Sequence, residues 1–325
     1  MARTAFVTGA SGFIGVNLVK QLIERGWDVT ALYRNEDNSA CLQRFPVKLV
    51  KGDVIDYSSI HNAMPAQPGA VFHVAGDTSF WSKNNKRQTK VNTEGTRNVV
   101  NAALQKKAKC FIHTSSIEAW GEARGTIDEN TPQLGNISNI NYCRTKWAGE
   151  KEALLAMDEM KVVVMNPGAV LGPYDAHTWG RTFFLLRDNK FPFNTPGLLC
   201  FAHVDEVVKA HINAVDHGEN GSNYLLGGEN RPIADFAREV AKLIGKKAPP
   251  VGPAFVIKAL AALLTAVSYI TGKEPPLTIE LAQATTRRNV YYSSEKAVRE
   301  LDFKIVPLEK CVWDCYNWLK EEKLL

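Results

Sequence analysis

A chain of 325 residues with 45% hydrophobic content can bury a large core, which excludes a disordered chain. The net charge of +5 is spread over 39 basic and 34 acidic residues, with only short clusters such as Lys106-Lys107, so no nucleic-acid surface is expected. The six cysteines, Cys41, Cys110, Cys143, Cys200, Cys311 and Cys315, contain no CxxC pair and no histidine partner at zinc-ligand spacing, which predicts reduced thiols, no metal site and a cytoplasmic location.

Met1 to Gly9 runs straight into a strand without the charged and apolar regions of a secretion signal. Thr4 to Thr8 reads as the first strand, Gly12 to Arg25 as a helix, Val29 to Tyr33 as the second strand and Val47 to Lys51 as the third. Later strands are expected at Ala70 to Val74, Cys110 to Thr114, Lys161 to Asn166 and Tyr224 to Leu226. Long helices are expected at Val91 to Gln105 and Tyr142 to Met157. This alternation is that of an α/β, doubly wound parallel sheet of the Rossmann type.

From Gly172 the pattern loosens, with Gly-Pro, Phe-Pro-Phe and Pro-Pro punctuation. The expected division is a dinucleotide-binding part at 1–172 and a smaller, mostly helical substrate part at 173–325, interleaved through a segment near 201–228 that returns to the first part. The most apolar stretch, Pro253 to Ile270, contains Lys258, Thr265 and Ser268. It falls short of a membrane span and is read as a core or lid helix in preference to a membrane-surface helix.

The first strand ends in Thr8-Gly9-Ala10-Ser11-Gly12-Phe13-Ile14-Gly15, a glycine-rich turn that opens a helix. In that setting Gly9 allows the turn, Gly12 lets a pyrophosphate approach the backbone, and Gly15 lets helix and strand pack closely. Cofactor choice is expected at the end of the second strand, where Tyr33-Arg34-Asn35 stands in place of a lone carboxylate. Arg34 can grip a 2′-phosphate, which favours NADP, while Glu36 and Asp37 keep NAD open, and a solvated loop charge is the plain alternative. Asp53, before Val54, is placed to accept a bond from the adenine amino group or else to cap the next helix.

Tyr142 and Lys146 stand one helical turn apart on one face. A cation near a phenol favours the phenolate and brings the tyrosine towards the range of a general acid or base. Hydride transfer to a carbonyl needs such a proton donor, worth roughly 10²–10⁴-fold in rate. Upstream, Ser115 and Ser116 end a strand at the carboxyl edge of the sheet, where ligands of open sheets bind, and one of them is expected only to cap the next segment. His73 and His113 are read as satisfied core histidines. Asp77 to Trp81 suits a pocket rim as well as it suits a solvated loop. Phe183, Phe184, Phe191 and Phe193 fit core packing better than a pocket.

Taken together, the chain resembles the extended short-chain dehydrogenase/reductase family nearly end to end. The marks are the glycine turn, Gly52-Asp53, Val71-Phe72-His73-Val74-Ala75-Gly76, Val91-Asn92-Thr93-Glu94-Gly95-Thr96, Tyr142 with Lys146, and Asn166-Pro167-Gly168-Ala169-Val170-Leu171-Gly172-Pro173. Phe201 to Glu206 and Gly221 to Gly228 look most like its dihydroflavonol-reductase and 3β-hydroxysteroid-dehydrogenase-like branch.

The resemblance implies Ser116, rather than Ser115, as the catalytic serine beside Tyr142 and Lys146, with Lys146 also holding the nicotinamide ribose. It implies cofactor contacts from Thr8, Gly9, Ser11, Gly12, Phe13, Ile14, Gly15, Arg34, Asp53, Val54, Val74, Ala75, Gly76, Pro167, Gly168 and Val170. The family's dehydratases place Asp and Glu directly after the hydroxyl residue, whereas here Ile117 precedes Glu118, which removes half of that equipment. The expected activity is hydride transfer between nicotinamide and a carbonyl or secondary alcohol. A nucleotide-sugar epimerase with retained NAD and a non-catalytic dinucleotide-sensing protein stand as alternatives, and the resemblance allows a homodimer.

Overall fold

The computed structural model describes residues 3–325, apart from the side chains of Asp37 and Asn38. Its centre is a sheet of seven strands: β1 (Thr4–Thr8), β2 (Asp28–Tyr33), β3 (Lys48–Lys51), β4 (Ala70–His73), β5 (Cys110–Thr114), β6 (Lys161–Pro167) and β7 (Asn223–Leu226). The order is β7-β6-β5-β4-β1-β2-β3, and every neighbouring pair is parallel. After β3 the chain crosses back to lay β4 on the other side of β1. That reversal opens a crevice at the carboxyl ends of β1 and β4, where open sheets bind ligands.

Side chains of the central strands go alternately to two cores. Ala5 and Val7 of β1 join one with Val16, Leu18, Val19 and Leu22 of helix α1 (Phe13–Glu24), while Phe6 joins the other. That second core holds Val99, Val100, Ala102 and Ala103 of α2 (Gly95–Gln105) together with Ala153 of α3 (Asn141–Leu154). With both faces covered, β4 and β5 are buried at every position, which is why they read as unbroken apolar runs. The helix α4 (Val204–His217) adds Val204, Val207 and Val208 to the α1 side, and β7 follows it into the sheet.

Two smaller sheets frame this core. Leu198–His203 pairs in parallel with Ala169–Leu171 and antiparallel with Glu229–Pro232. Val290–Tyr292 pairs with Gly125–Ile127, tying the C-terminal third back to the segment after β5. Phe183 is fully buried in a third core with Phe201 and Phe236, and Phe184 and Phe191 pack against it, whereas Phe193 faces solvent.

Three elements differ from expectation. The helix expected from Val91 is helical from Asn85, and Lys90–Glu94 forms a π-helical turn, an insertion that apolar spacing does not register. The helix α3 ends at Leu154 rather than Met157, leaving Leu155 and Met157 exposed. The apolar stretch, expected to fall short of a membrane span and to form a core or lid helix, forms α5 (Ala254–Thr271), which is long and apolar enough by composition to cross a membrane and is not buried as a core helix would be. It buries only Ile257, Ala261, Thr265 and Ser268, while Phe255, Leu263 and Ile270 are 75%, 62% and 89% exposed.

Candidate active site

The glycine turn sits at the crevice, between β1 and α1. Gly9 has φ +66°, and a Cβ there would stand 2.5 Å from the backbone nitrogen of Ala75, so both the turn and the approach of the β4 exit require glycine. A Cβ on Gly15 would run into the Gly9 carbonyl, which is how the first turn of α1 packs so closely on β1. At Gly12 the same Cβ would meet only Gly9 O, at 3.3 Å. No side chain caps α1, so its first-turn amides are left to an outside acceptor, and no acidic residue lies in that turn. Ser11, Gly12, Phe13 and Ile14 are partly or fully exposed there. These features fit the pyrophosphate of a dinucleotide.

Thr8 is placed differently from expectation. Its side chain is fully buried, 2.7 Å from His73 Nδ1, and accepts from Ala75 N at 3.3 Å, so it braces β1 against β4 and offers no free hydroxyl. Val54 is buried and packs over Gly95, and its carbonyl accepts from Asn98. Asp53 does not cap the next helix, a role taken by Asp56; its Oδ1 accepts from Ile55 N at 3.2 Å. Arg34, at the end of β2, reaches solvent with Nη1 4.0 Å from Asp53 Oδ2. Glu36 is paired with Lys51 at 3.2 Å, and the Asp37 side chain lies outside the described residues. Pro167 and Val170 are buried, and the open side of Gly168 faces Cys200, whose Sγ a Cβ would meet at 2.5 Å.

Tyr142 and Lys146 lie on α3 and face the carboxyl ends of β4 and β5. The Lys146 ammonium donates to Thr114 O at 2.9 Å, and a Cβ added at Gly76 would stand 3.3 Å from its Nζ. Burial lowers the Lys146 pKa to about 8, against the opposing pull of Glu150 one turn along the helix. Burial raises the Tyr142 pKa well above its ordinary value; the nearby Ser116 hydroxyl opposes the rise, and Glu118, Cys143 and Asp77 add to it. This sign is opposite to the lowering expected from Lys146, because desolvation of the phenolate outweighs every nearby attraction.

Ser116, whose hydroxyl lies near Tyr142, caps the next turn by accepting from Glu118 N at 3.2 Å. Ser115 is buried with no hydrogen-bond partner for its hydroxyl among the described residues. His73 is satisfied as expected, between Thr8 and Thr96. His113 is not. It stacks on His73 with centroids 5.5 Å apart, yet neither ring nitrogen has a partner among the described residues, and burial holds its pKa well below the usual value.

Several contacts of the site carried no sequence signal. Glu118 is buried, accepting from Arg287 Nη1 at 2.9 Å and from Cys143 Sγ at 3.1 Å. Glu150 is fully buried and accepts from the amides of Asn166, Gln133 and Asn223, while Asn166 also donates to Ser116 O at 3.1 Å. Asn92, on the π turn, binds the backbone of Asp77 on both sides and donates to Thr145 on α3, so it fastens the loop after β4 to the tyrosine helix. Phe80 from that loop packs 5.2 Å from the Tyr142 ring, in an apolar cluster with Ile140, Cys143 and Ala284. The expected pocket rim is thereby partly an aromatic wall beside the phenol.

The profile of the NAD dependent epimerase/dehydratase family matches residues 5–227. Along 98% of its length the chain is 29% identical to a putative dihydroflavonol 4-reductase of Synechocystis sp., covering 95% of that protein. It is 27% identical to a 3-beta-hydroxysteroid dehydrogenase of Mycolicibacterium neoaurum, over 95% of this chain and 89% of the relative. Among solved structures, the crystal structure of gox2253 superposes with a TM-score of 0.82 at 28% identity, covering 99% of both chains.

Proposed function

Because this chain belongs to the NAD-dependent epimerase/dehydratase family, in its extended short-chain dehydrogenase/reductase branch, we propose that it is an NADP-dependent reductase of apolar ketones or aldehydes, or the reverse dehydrogenase. The observation that carries this reading is a buried Tyr142 phenol, near the Ser116 hydroxyl and walled by Phe80, Ile140 and Ala284. A phenol whose pKa is pushed up stays protonated at neutral pH, and so is ready to give its proton to a carbonyl oxygen that gains negative charge. Ser116 would hold that oxygen by a hydrogen bond and fix it against Tyr142. Lys146, anchored on Thr114 O beside Gly76, would hold the sugar hydroxyls next to the nicotinamide.

The glycine turn and the uncapped start of α1 would hold the pyrophosphate, and Arg34 the 2′-phosphate that distinguishes NADP. Bound there, the nicotinamide supplies or accepts the hydride. Glu118 speaks against elimination chemistry, because its carboxylate is already engaged by Arg287 and Cys143.

The test is oxidation of added NADPH by the purified protein across a panel of apolar ketones and aldehydes. The expected outcome is turnover that Tyr142→Phe lowers by roughly 10²–10⁴-fold while NADPH affinity holds. Full speed in that variant would remove Tyr142 from the chemistry. Stoichiometric retained NAD without net NADPH consumption would favour an epimerase, and dinucleotide binding with no turnover a sensing role.

A further inference from the structure

We propose that the outward face of α5 docks on the surface of an anionic phospholipid bilayer. An ordinary surface helix buries its apolar side and gives its polar side to water. Here the arrangement is inverted. Thr265 and Ser268 point inward with Ile257 and Ala261, while Phe255, Val256, Leu263, Val267, Tyr269 and Ile270 point out. A continuous apolar face of this kind marks an interaction surface.

Charge selects the occupant. From Lys246 to Glu274 the chain carries Lys246, Lys247, Lys258 and Lys273 against the single acid Glu274, and all five side chains are exposed. Lysines fringing an apolar face suit acidic headgroups over acyl chains. They disfavour a second copy of this chain, which would bring the same lysines against them.

The helix would lie on the membrane rather than cross it. Although it is long enough to span by composition, its inner stripe is tied to the body. Trp81 Nε1 donates to Ser268 Oγ at 3.2 Å, and Lys83 Nζ donates to Ser268 O at 3.0 Å while lying over the Tyr269 ring. Trp81 follows Phe80, whose carbonyl accepts from Thr278 Oγ1 at 2.6 Å and whose ring walls Tyr142. A docked α5 would thus seat the mouth of the cleft on the lipid, where an apolar substrate is concentrated. That consequence rests on the proposed role of Tyr142; the docking itself does not.

Flotation of the full chain with vesicles tests it, using phosphatidylcholine alone and phosphatidylcholine with phosphatidylserine. We expect the protein to float with the mixed vesicles, less with phosphatidylcholine alone, and to be released by salt. Phe255→Glu with Ile270→Glu, both fully outward, should lower binding by about tenfold or more with NADPH affinity unchanged. No flotation of the wild type, or equal flotation of the double variant, overturns the proposal. So does a wild-type dimer in light scattering that the double variant dissolves without any vesicle binding, since the face would then belong to self-association. Vesicle binding needs neither cofactor nor substrate, so its failure leaves the oxidoreductase reading standing, and the reverse holds too.

Discussion

Arg287 places Nη1 2.9 Å from Glu118 Oε2, joining the C-terminal third to the turn that follows Ser116. Both side chains are largely buried, and Cys143, next to the tyrosine on α3, donates its thiol to the same carboxylate. The pair therefore clamps three segments around the phenol. Removing Arg287 would strand a carboxylate in a site with little water, at a cost of about 3–5 kcal/mol. Arg287→Met should lower the urea midpoint accordingly, and adding Glu118→Gln should recover part of the loss. A single variant as stable as the wild type would show that the pair contributes little.

Lys146 is held below its ordinary pKa, at about 8, so the folded state resists its charge. Between pH 8 and the unfolded value near ~10.4, the unfolded chain binds the extra proton, and stability rises with pH. Above that window the penalty is absent; it grows as pH falls from the unfolded towards the folded value and is fully present at neutral pH. Its upper bound is about 3 kcal/mol, offset by roughly 1 kcal/mol for the bond to Thr114 O. Lys146→Met should thus be inactive yet more stable than the wild type at pH 6, with the gap closing near pH 10. Urea unfolding at both pH values decides; a variant less stable at both contradicts the assigned direction.

The glycines of the turn should separate by role. Gly9→Ala forces a side chain into a left-handed backbone and against Ala75, which should cost at least about 2 kcal/mol and lower Tm. Gly12→Ala meets only the Gly9 carbonyl, so its stability should change by less than about 1 kcal/mol. Its Cβ would stand where the pyrophosphate must approach, and calorimetric titration with NADPH should show the loss in affinity. Equal effects of the two variants on Tm would contradict the geometry.

Arg34 has a side chain 61% exposed and, among the described residues, one long contact with Asp53, so Arg34→Ala should leave Tm unchanged. Losing a charge-assisted grip on the 2′-phosphate should weaken NADPH by about tenfold or more while NADH binding holds. Fluorescence titration of the two nucleotides checks this. An unchanged NADPH-to-NADH ratio would return Arg34 to the role of a solvated loop charge.

What local chemistry dictates was readable along the chain. The β strands announced themselves as apolar runs between glycine-rich turns, because a strand buried on both faces has no polar side to alternate. The glycine turn was equally plain, since Gly9 answers a backbone angle and Gly15 a contact with its own near neighbours. Tyr142 and Lys146 were visible as a pair because a helix puts residues four apart on one face.

Contacts between distant segments left no such trace. Glu118 and Arg287 stand 169 residues apart, and nothing in either neighbourhood marks one for the other. The π turn that aims Asn92 is a local backbone widening over Lys90–Glu94 that no residue type there marks. The sign of the Tyr142 shift depends on how completely folding excludes water from the phenol, a property of packing rather than of spacing. Helix α5 makes the same point from outside: its composition is that of a core helix, and only the arrangement of the rest of the chain leaves its apolar side uncovered.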